Sequence, residues 1–221
     1  MPADSASGEF RSKIIVVTGP TAVGKTGAAI ELALRFNGEI VSADSMQIYR
    51  HMDIGTAKPD AVQRFRVVHH MIDIANPDAL FDAQQFSSRA RKLIADISER
   101  RKLPFLVGGT GLYIKALLQG LFEALPRDSN IRSRLKADAM RIGPSGLHER
   151  LKSVDPDAAE KIHSNDAFRI IRALEVFELT GKPISRHQLE HQFGNSFYRA
   201  LKIGLKMDRD LLYRRIDERV D

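Results

Sequence analysis

Apolar positions along this chain keep two rhythms, and the alternation between them predicts its architecture. Short runs rich in β-branched residues read as buried strands: "KIIVVT" at 13–18, "EIVSAD" at 39–44, "VVHHMIDI" at 67–74 and "LPFLVGG" at 103–109. Between them the spacing is helical. Ala29, Ile30, Ala33, Leu34 and Phe36 form a stripe that Asn37-Gly38 terminates. Phe86, Ala90, Leu93, Ile94 and Ile97 share one face of "DAQQFSSRARKLIADISERR", whose Asp82 and Gln85 match a capping box. A further helix, "LYIKALLQGL", follows the fourth strand. Strands alternating with helices predict an α/β fold with a mostly parallel sheet flanked by helices.

The rhythm changes near "EALPRDSN". From residue 129 to about 192 no strand pattern occurs, only helical segments punctuated by "GPSG", "DPD" and "TGKP". One of these, "DAFRIIRALEVFELTGK", is strongly amphipathic and closes on Gly181. Strand character returns in "YRALKIGLKMD" and helical character in "RDLLYRRIDERV". The expected organisation is an α/β core over 1–126, an all-helical insertion domain over 127–198 and a return to the core over 199–221. The sequence stops within a charged, helix-like segment without a cap or stop signal, so more of the core is expected beyond it.

Composition changes this picture little. An apolar fraction of 43% and a charged fraction of 28% are ordinary for a soluble globular protein. The absence of cysteine excludes disulfides, thiol nucleophiles and cysteine-ligated zinc. The net charge of +6 invites a nucleic-acid reading, but it is spread evenly: 15 Lys+Arg face 13 Asp+Glu over 1–126, 13 face 10 over 127–200, and 6 face 5 over 201–221. Charge alone therefore permits a polyanionic partner without arguing for one. No apolar run approaches the roughly 20 residues of a membrane span, and "MPADSASGEF" lacks an export pattern, so a cytoplasmic protein without membrane contact is expected.

The candidate chemistry begins at "GPTAVGKT": Gly19, Pro20, Thr21, Ala22, Val23, Gly24, Lys25 and Thr26. Glycine, four residues, glycine, lysine and threonine between a strand and a helix is the spacing of a phosphate-binding loop. Its glycines let backbone amides approach phosphate oxygens at a helix N-terminus, Lys25 would neutralise phosphate charge, and Thr26 would ligate magnesium. Asp44 ends the second strand, where parallel sheets bind ligands. It reads as a magnesium ligand, a general base or a turn residue. The fourth strand ends in glycines, where nucleotide hydrolases often carry a magnesium-binding aspartate, and no guanine-reading Asn-Lys-x-Asp occurs. A nucleotide-splitting activity is thereby disfavoured.

Other features have bland readings beside functional ones. "HQLEH", His187 to His191, matches an inverted zinc-protease pattern, yet its segment looks like a polar surface helix. His69 and His70 within a strand are more often structural than catalytic. Arg169 and Arg172 share a helical face, and with Arg132 they read alone as solvated arginines.

Taken together, "GPTAVGKT", "SADSMQIYRHMDIGTAKP", "HHMIDI", "FDAQQF", "PFLVGGTGLYIKALLQGL", "DPDAAEKIHSNDAFRIIRALEVFELTGKPIS" and "RDLLYRRIDERV" make the chain resemble the tRNA dimethylallyltransferases, or tRNA isopentenyltransferases. The resemblance runs from residue 14 to the end, although family members continue for roughly another third of this length with segments that help grip the tRNA. It implies that the loop binds the diphosphate of dimethylallyl diphosphate, with Mg2+ at Thr26 and Arg215 nearby. It implies prenyl transfer to N6 of the adenosine 3′ of the anticodon, with Asp44 as general base. It also implies tRNA contacts from Asp44, Ser45, Met46, Gln47, Thr110, Arg132, Phe168, Arg169, Ile170, Ile171 and Arg172. A monomer that engages the anticodon stem-loop is expected. A P-loop nucleoside or nucleotide kinase, which would bind ATP in the same loop, and an isopentenyltransferase acting on free adenine nucleotides are the rival readings; a non-enzymatic nucleotide-binding module fits least, because Asp44 would have no task.

Overall fold

The computed structural model describes residues 12–120, 128–190 and 197–220. They form two compact units, one drawn from 1–120 with 195–221 and the other from 121–194. The expected boundary at 126/127 lies outside the described residues.

The first unit is built on a parallel sheet. Its strands are β1 (Lys13–Thr18), β2 (Gly38–Ser42), β3 (His69–His70), β4 (Leu103–Gly108) and β5 (Arg199–Gly204), in the order β3-β2-β4-β1-β5. Every pairing is parallel, as the alternating pattern predicts. Connections between parallel neighbours must cross a face of the sheet, and helices make those crossings. They are α1 (Lys25–Arg35), α2 (Ala61–Arg66), α3 (Ala83–Glu99) and α4 (Gly111–Gln119), with α9 (Arg209–Val220) after β5. Val17, Ala29, Ile30, Ala33, Ile40, Phe105 and Val107 pack into one apolar cluster under α1.

Two sequence expectations change here. Leu34 and Phe36 lie on the solvent side of α1, 46% and 51% exposed, so the buried stripe is only Ala29, Ile30 and Ala33. The expected third strand shrinks to His69–His70, because Met71 (φ 63°) and Asp73 (φ 57°) leave the extended conformation. Gly38 also proves to be a packing residue as well as a terminator. A Cβ there would lie 2.4 Å from the Phe105 ring.

The second unit is all-helical among the described residues: α5 (Ser129–Val154), α6 (Pro156–Lys161), α7 (Ala167–Thr180) and α8 (Ile184–Glu190). The punctuation seen in the sequence marks its joints. Gly143 (φ 73°) and Pro144 break α5, Asp155 caps α6 ahead of Pro156, and Gly181 (φ 68°) caps α7. Leu135, Leu147, Leu151, Ile170, Ile171 and Leu174 fill its core. Among the described residues, no helix is long and apolar enough to cross a membrane.

Candidate active site

The glycine loop is shaped by a neighbouring strand. Leu205, just past β5, donates its amide to Thr18 O at 2.8 Å. Its carbonyl oxygen would sit 2.7 Å from a Cβ on Gly19, so only glycine fits. Ala22 (φ 61°) and Gly24 (φ 95°) then turn the chain into α1. Gly24 contributes no side-chain cap, which leaves the amides opening α1 for an anionic ligand. Lys25 folds back onto the loop, donating to Gly19 O at 3.0 Å and Pro20 O at 2.7 Å.

Asp44 is held by the junction of β2 and β4. Ala43 donates to Val107 O at 2.7 Å, and Thr110 donates to Ala43 O at 3.1 Å. Gly108 permits this approach, since a Cβ there would meet Ala43 O at 2.1 Å. Asp44 Oδ1 accepts from the amides of Met46 (2.9 Å) and Gln47 (3.3 Å). Its Oδ2 has no hydrogen bond among the described residues and is the oxygen left for chemistry.

The stretch after Asp44 is clamped from beneath. Gln47 is buried; its Oε1 accepts from Ser42 Oγ, and its Nε2 donates to the carbonyls of Thr56 and Ala57, both at 3.2 Å. Lys58 is a second clamp, with a side chain only 1% exposed. It donates to Tyr49 O at 2.7 Å and pairs with Asp53 and Asp73. Burial disfavours its charge, but the two carboxylates outweigh burial and hold its pKa above the ordinary lysine value. Asp73 also binds Arg64 at 2.8 Å.

Three adjoining cavities share Asp44 in their walls. One of about 390 Å³ includes Thr21, Lys25, Thr26, Arg215 and Glu218. A second, of about 660 Å³, brings Met46, Met52 and Ile54 to the other side of the carboxylate. A third, of about 30 Å³, lies deeper against Thr26, Ser42, Gln47 and His69 and has room for about one water. His69 Nδ1 donates to Val67 O at 2.7 Å, and its buried Nε2 finds no partner among the described residues. Burial lowers its pKa, so this ring is neutral near pH 7.

Residues 47–221 match the family model described as IPP transferase. The chain belongs to the IPP transferase family. It is 53% identical over 214 residues to tRNA dimethylallyltransferase 2 of Geotalea uraniireducens, covering 97% of this chain and 69% of that protein. It is likewise 53% identical to the tRNA dimethylallyltransferase of Geobacter metallireducens, covering 96% and 69%. Among solved structures it resembles the full-length tRNA isopentenylpyrophosphate transferase of Bacillus halodurans (45% identity, TM-score 0.62, 96% of this chain and 65% of that one). It also resembles a eukaryotic dimethylallyltransferase described as acting on tRNA (32% identity, TM-score 0.79, 95% and 52%). The chain thus spans roughly two-thirds of its curated relatives and about half of the eukaryotic enzyme.

For this IPP transferase, the α/β unit brings Thr21, Lys25, Thr26, Asp44 and Arg215 around one cavity. Met46 is half-exposed beside it, and Thr110 accepts from the Ser45 amide at 3.0 Å. Gln47 acts through the backbone of its own loop, since both ends of its carboxamide are taken. In the helical unit Phe168 and the Arg169 side chain are exposed, 73% and 70% respectively. Ile170 and Ile171 of the same segment have their side chains buried in the core of the helical unit. Arg132 and Arg172 are not simply solvated either, because both approach the fully buried Glu175.

His187 lies near Thr180 Oγ1 at 3.3 Å and Glu190 pairs with Lys182, while His191 is outside the described residues. Among the described residues no three histidine or carboxylate groups gather in a way that could hold a metal. His70 pairs with Glu39 at 2.7 Å, and Arg100 and Lys102 bind the same carboxylate. Sequence reasoning missed Lys58, Glu39 and Glu175. For Glu39 and Glu175 the signal was a charged residue inside an otherwise buried pattern, as at "GEIVS" and "RALEVF"; Lys58, in "GTAKPD", carries no such pattern.

Proposed function

We infer that this chain transfers the dimethylallyl group of dimethylallyl diphosphate to N6 of the adenosine 3′ of the anticodon in tRNA. The observation that carries the reading is the position of Asp44 in the walls of both the phosphate-loop cavity and the apolar cavity beside it. Diphosphate suits the first, whose walls hold the loop and the start of α1 with Lys25 and Arg215, beside the Glu218 carboxylate. A five-carbon chain and a planar base suit the second, with Met46, Met52 and Ile54 as its walls. The N6 lone pair attacks C1 of the prenyl group, and the C1–O bond breaks with its electron pair leaving on diphosphate. The N6 proton passes to Asp44 Oδ2, whose partner oxygen the Met46 and Gln47 amides already fix. Loop donors and Lys25 stabilise the charge that grows on the leaving group.

A magnesium ion fits the donor set, since Thr26 and Asp44 offer hard oxygen ligands around the same cavities. When bound there it would supply additional charge stabilisation to the diphosphate. A nucleotide-splitting reading fits less well. β4 ends in Gly108-Gly109, and a Cβ on Gly109 would lie 3.8 Å from Lys25 Nζ, so the position beside the lysine bears no carboxylate. The target base must be turned out of its stack to reach Asp44, as base-modifying enzymes require. The helical unit supplies exposed Phe168 and Arg169 for the anticodon arm. Incubating unmodified tRNA with the chain, dimethylallyl diphosphate and Mg2+, then analysing nucleosides by mass spectrometry, tests the reading. N6-dimethylallyladenosine is expected from tRNA and not from AMP; phosphorylation of a small acceptor by ATP would replace this reading with the kinase one.

A further inference from the structure

Lys58 is the least expected cation of the α/β unit, with a side chain only 1% exposed although it lies in the loop between β2 and α2. Its ammonium group has three hydrogens, and each has a partner. Nζ donates to Tyr49 O at 2.7 Å, to Asp53 Oδ1 at 2.5 Å and to Asp73 Oδ1 at 2.8 Å. Thr56 and Ala57 line the phosphate-loop cavity, so a lysine next to them invites reading as an anion ligand. That reading fails: its donors are already used, and Lys58 is not among the residues that line the cavity.

What Lys58 holds is its own loop. The ammonium ties residues 49 and 53 to Asp73, which lies beyond β3. The loop is closed further by Lys58 N to Asp53 O (3.2 Å), Ala57 N to Ile54 O (3.0 Å) and Thr56 Oγ1 to Met52 O (2.6 Å). Residues 51–56 contribute six of the nine residues around the 660 Å³ cavity, so its wall is mostly this loop. Ile54 is 93% exposed; side-chain packing does little to place it, and the backbone of the loop must.

We propose that Lys58 is a positioning residue for the prenyl end of the donor. By tying Tyr49, Asp53 and Asp73 together it holds the 49–58 loop as a preformed wall of the apolar cavity, and so favours a donor with a hydrocarbon chain over bare diphosphate. A wall ordered only on binding would subtract its ordering cost from the donor's affinity. Thr56 and Ala57, on the phosphate side, keep a separate anchor in Gln47 Nε2, so the diphosphate end does not depend on Lys58. The inference rests on the proposed use of the apolar cavity for the five-carbon chain.

The test compares two ligands that share the diphosphate group. Calorimetry with Mg2+ and without tRNA gives the Kd of dimethylallyl diphosphate and of inorganic diphosphate for wild type, Lys58→Met and Asp73→Asn, with thermal melts to check folding. Lys58→Met keeps an unbranched apolar stem and removes all three anchors. Its Kd for dimethylallyl diphosphate should rise about 10-fold, roughly the worth of two buried methylene groups, while that for inorganic diphosphate stays within about twofold. Asp73 lies outside the walls of both cavities, so Asp73→Asn loosens the same anchor without touching either. It should shift the preference in the same direction by less, and it decides the matter if Lys58→Met does not fold. Equal weakening of both ligands, or weakening of inorganic diphosphate alone, would overturn the proposal, and so would an unchanged ratio in the folded variants. Formation of N6-dimethylallyladenosine by the wild-type chain is scored separately. Transfer without the selective loss fails this inference alone, the selective loss without transfer fails the proposed function alone, and a wild type that binds neither ligand fails both.

Discussion

Thr110 Oγ1 accepts a hydrogen bond from the amide of Ser45 at 3.0 Å, joining two loops 65 residues apart. The bond fixes the backbone one residue past Asp44, so the placement of the candidate base depends on a hydroxyl from the next strand's end. Thr110→Val keeps the shape and removes the acceptor, stranding the Ser45 amide at a cost of about 1–3 kcal/mol. The expected outcome is a loss of about 5- to 100-fold in the single-turnover rate with donor affinity little altered. A variant as fast as wild type would show that the Asp44 turn holds itself.

Lys25 should answer differently. Lys25→Ala removes the one cation folded into the phosphate loop, and both donor binding and the transfer rate should fall. A loss of about 100-fold or more in rate is expected for a charge-stabilising donor. Single-turnover kinetics with varied dimethylallyl diphosphate measure both effects together, and a rate within threefold of wild type rejects the assignment.

The buried Glu39 sets a pH dependence for stability. The Arg100 guanidinium, against the opposing effect of burial and with help from Lys102 and His70, holds its carboxyl well below the usual carboxylate range. A depressed folded pKa contributes stability that is present above the unfolded value of about 4.3 and is lost as pH falls below it. Glu39→Gln should therefore flatten the acid limb of Tm against pH below about pH 4.3. It should also lower stability near pH 7 by about 3 kcal/mol, the low end for breaking a buried pair, since Arg100 and Lys102 are 40% and 34% exposed. Thermal melts of the two proteins between pH 3 and 7 check both parts.

The arginines of the helical unit need a gentler test than full truncation. Replacing Arg132, Arg169 and Arg172 by alanine would strand the Glu175 carboxylate in the core, an expected loss of about 3–5 kcal/mol in that unit. Arg169 is the cleaner probe, 70% exposed and paired among the described residues with Asp166 of its own turn at 3.4 Å. Arg169→Ala should flatten the salt slope of tRNA binding by about 0.7–0.9 unit without changing thermal stability. No change in slope would mark Arg169 as solvated surface.

What the sequence made legible follows a physical division. Local signals carried through: the Asp82/Gln85 capping box, the Gly181 cap and the loop glycines are short-range patterns, and each is found where it was expected. Strands with continuous apolar runs were equally readable, because burial on both faces leaves no other composition. The failures are long-range. The strand expected around His69–His70 ends at Met71, and Asp73 beyond it pairs with Lys58, 15 residues away. Glu39, Lys58 and Glu175 could not be read as buried, because each depends on partners that only the fold brings near.

Asp44 offers the sharpest test, because one carboxylate has two candidate roles. Asp44→Asn keeps a carbonyl-type oxygen for the Met46 and Gln47 amides, so the turn should persist while basicity and charge are lost. If Oδ2 accepts the N6 proton, the chemical step should slow by about 10²–10⁴-fold with donor and tRNA binding nearly intact. If the carboxylate serves chiefly as a magnesium ligand beside Thr26, the same change should raise the magnesium requirement instead. Excess metal would then recover much of the rate. The two roles separate in a titration of the single-turnover rate of the Asn variant against Mg2+. A rate that stays low at every concentration supports the general base, and recovery to near the wild-type rate at high Mg2+ removes that role from Asp44.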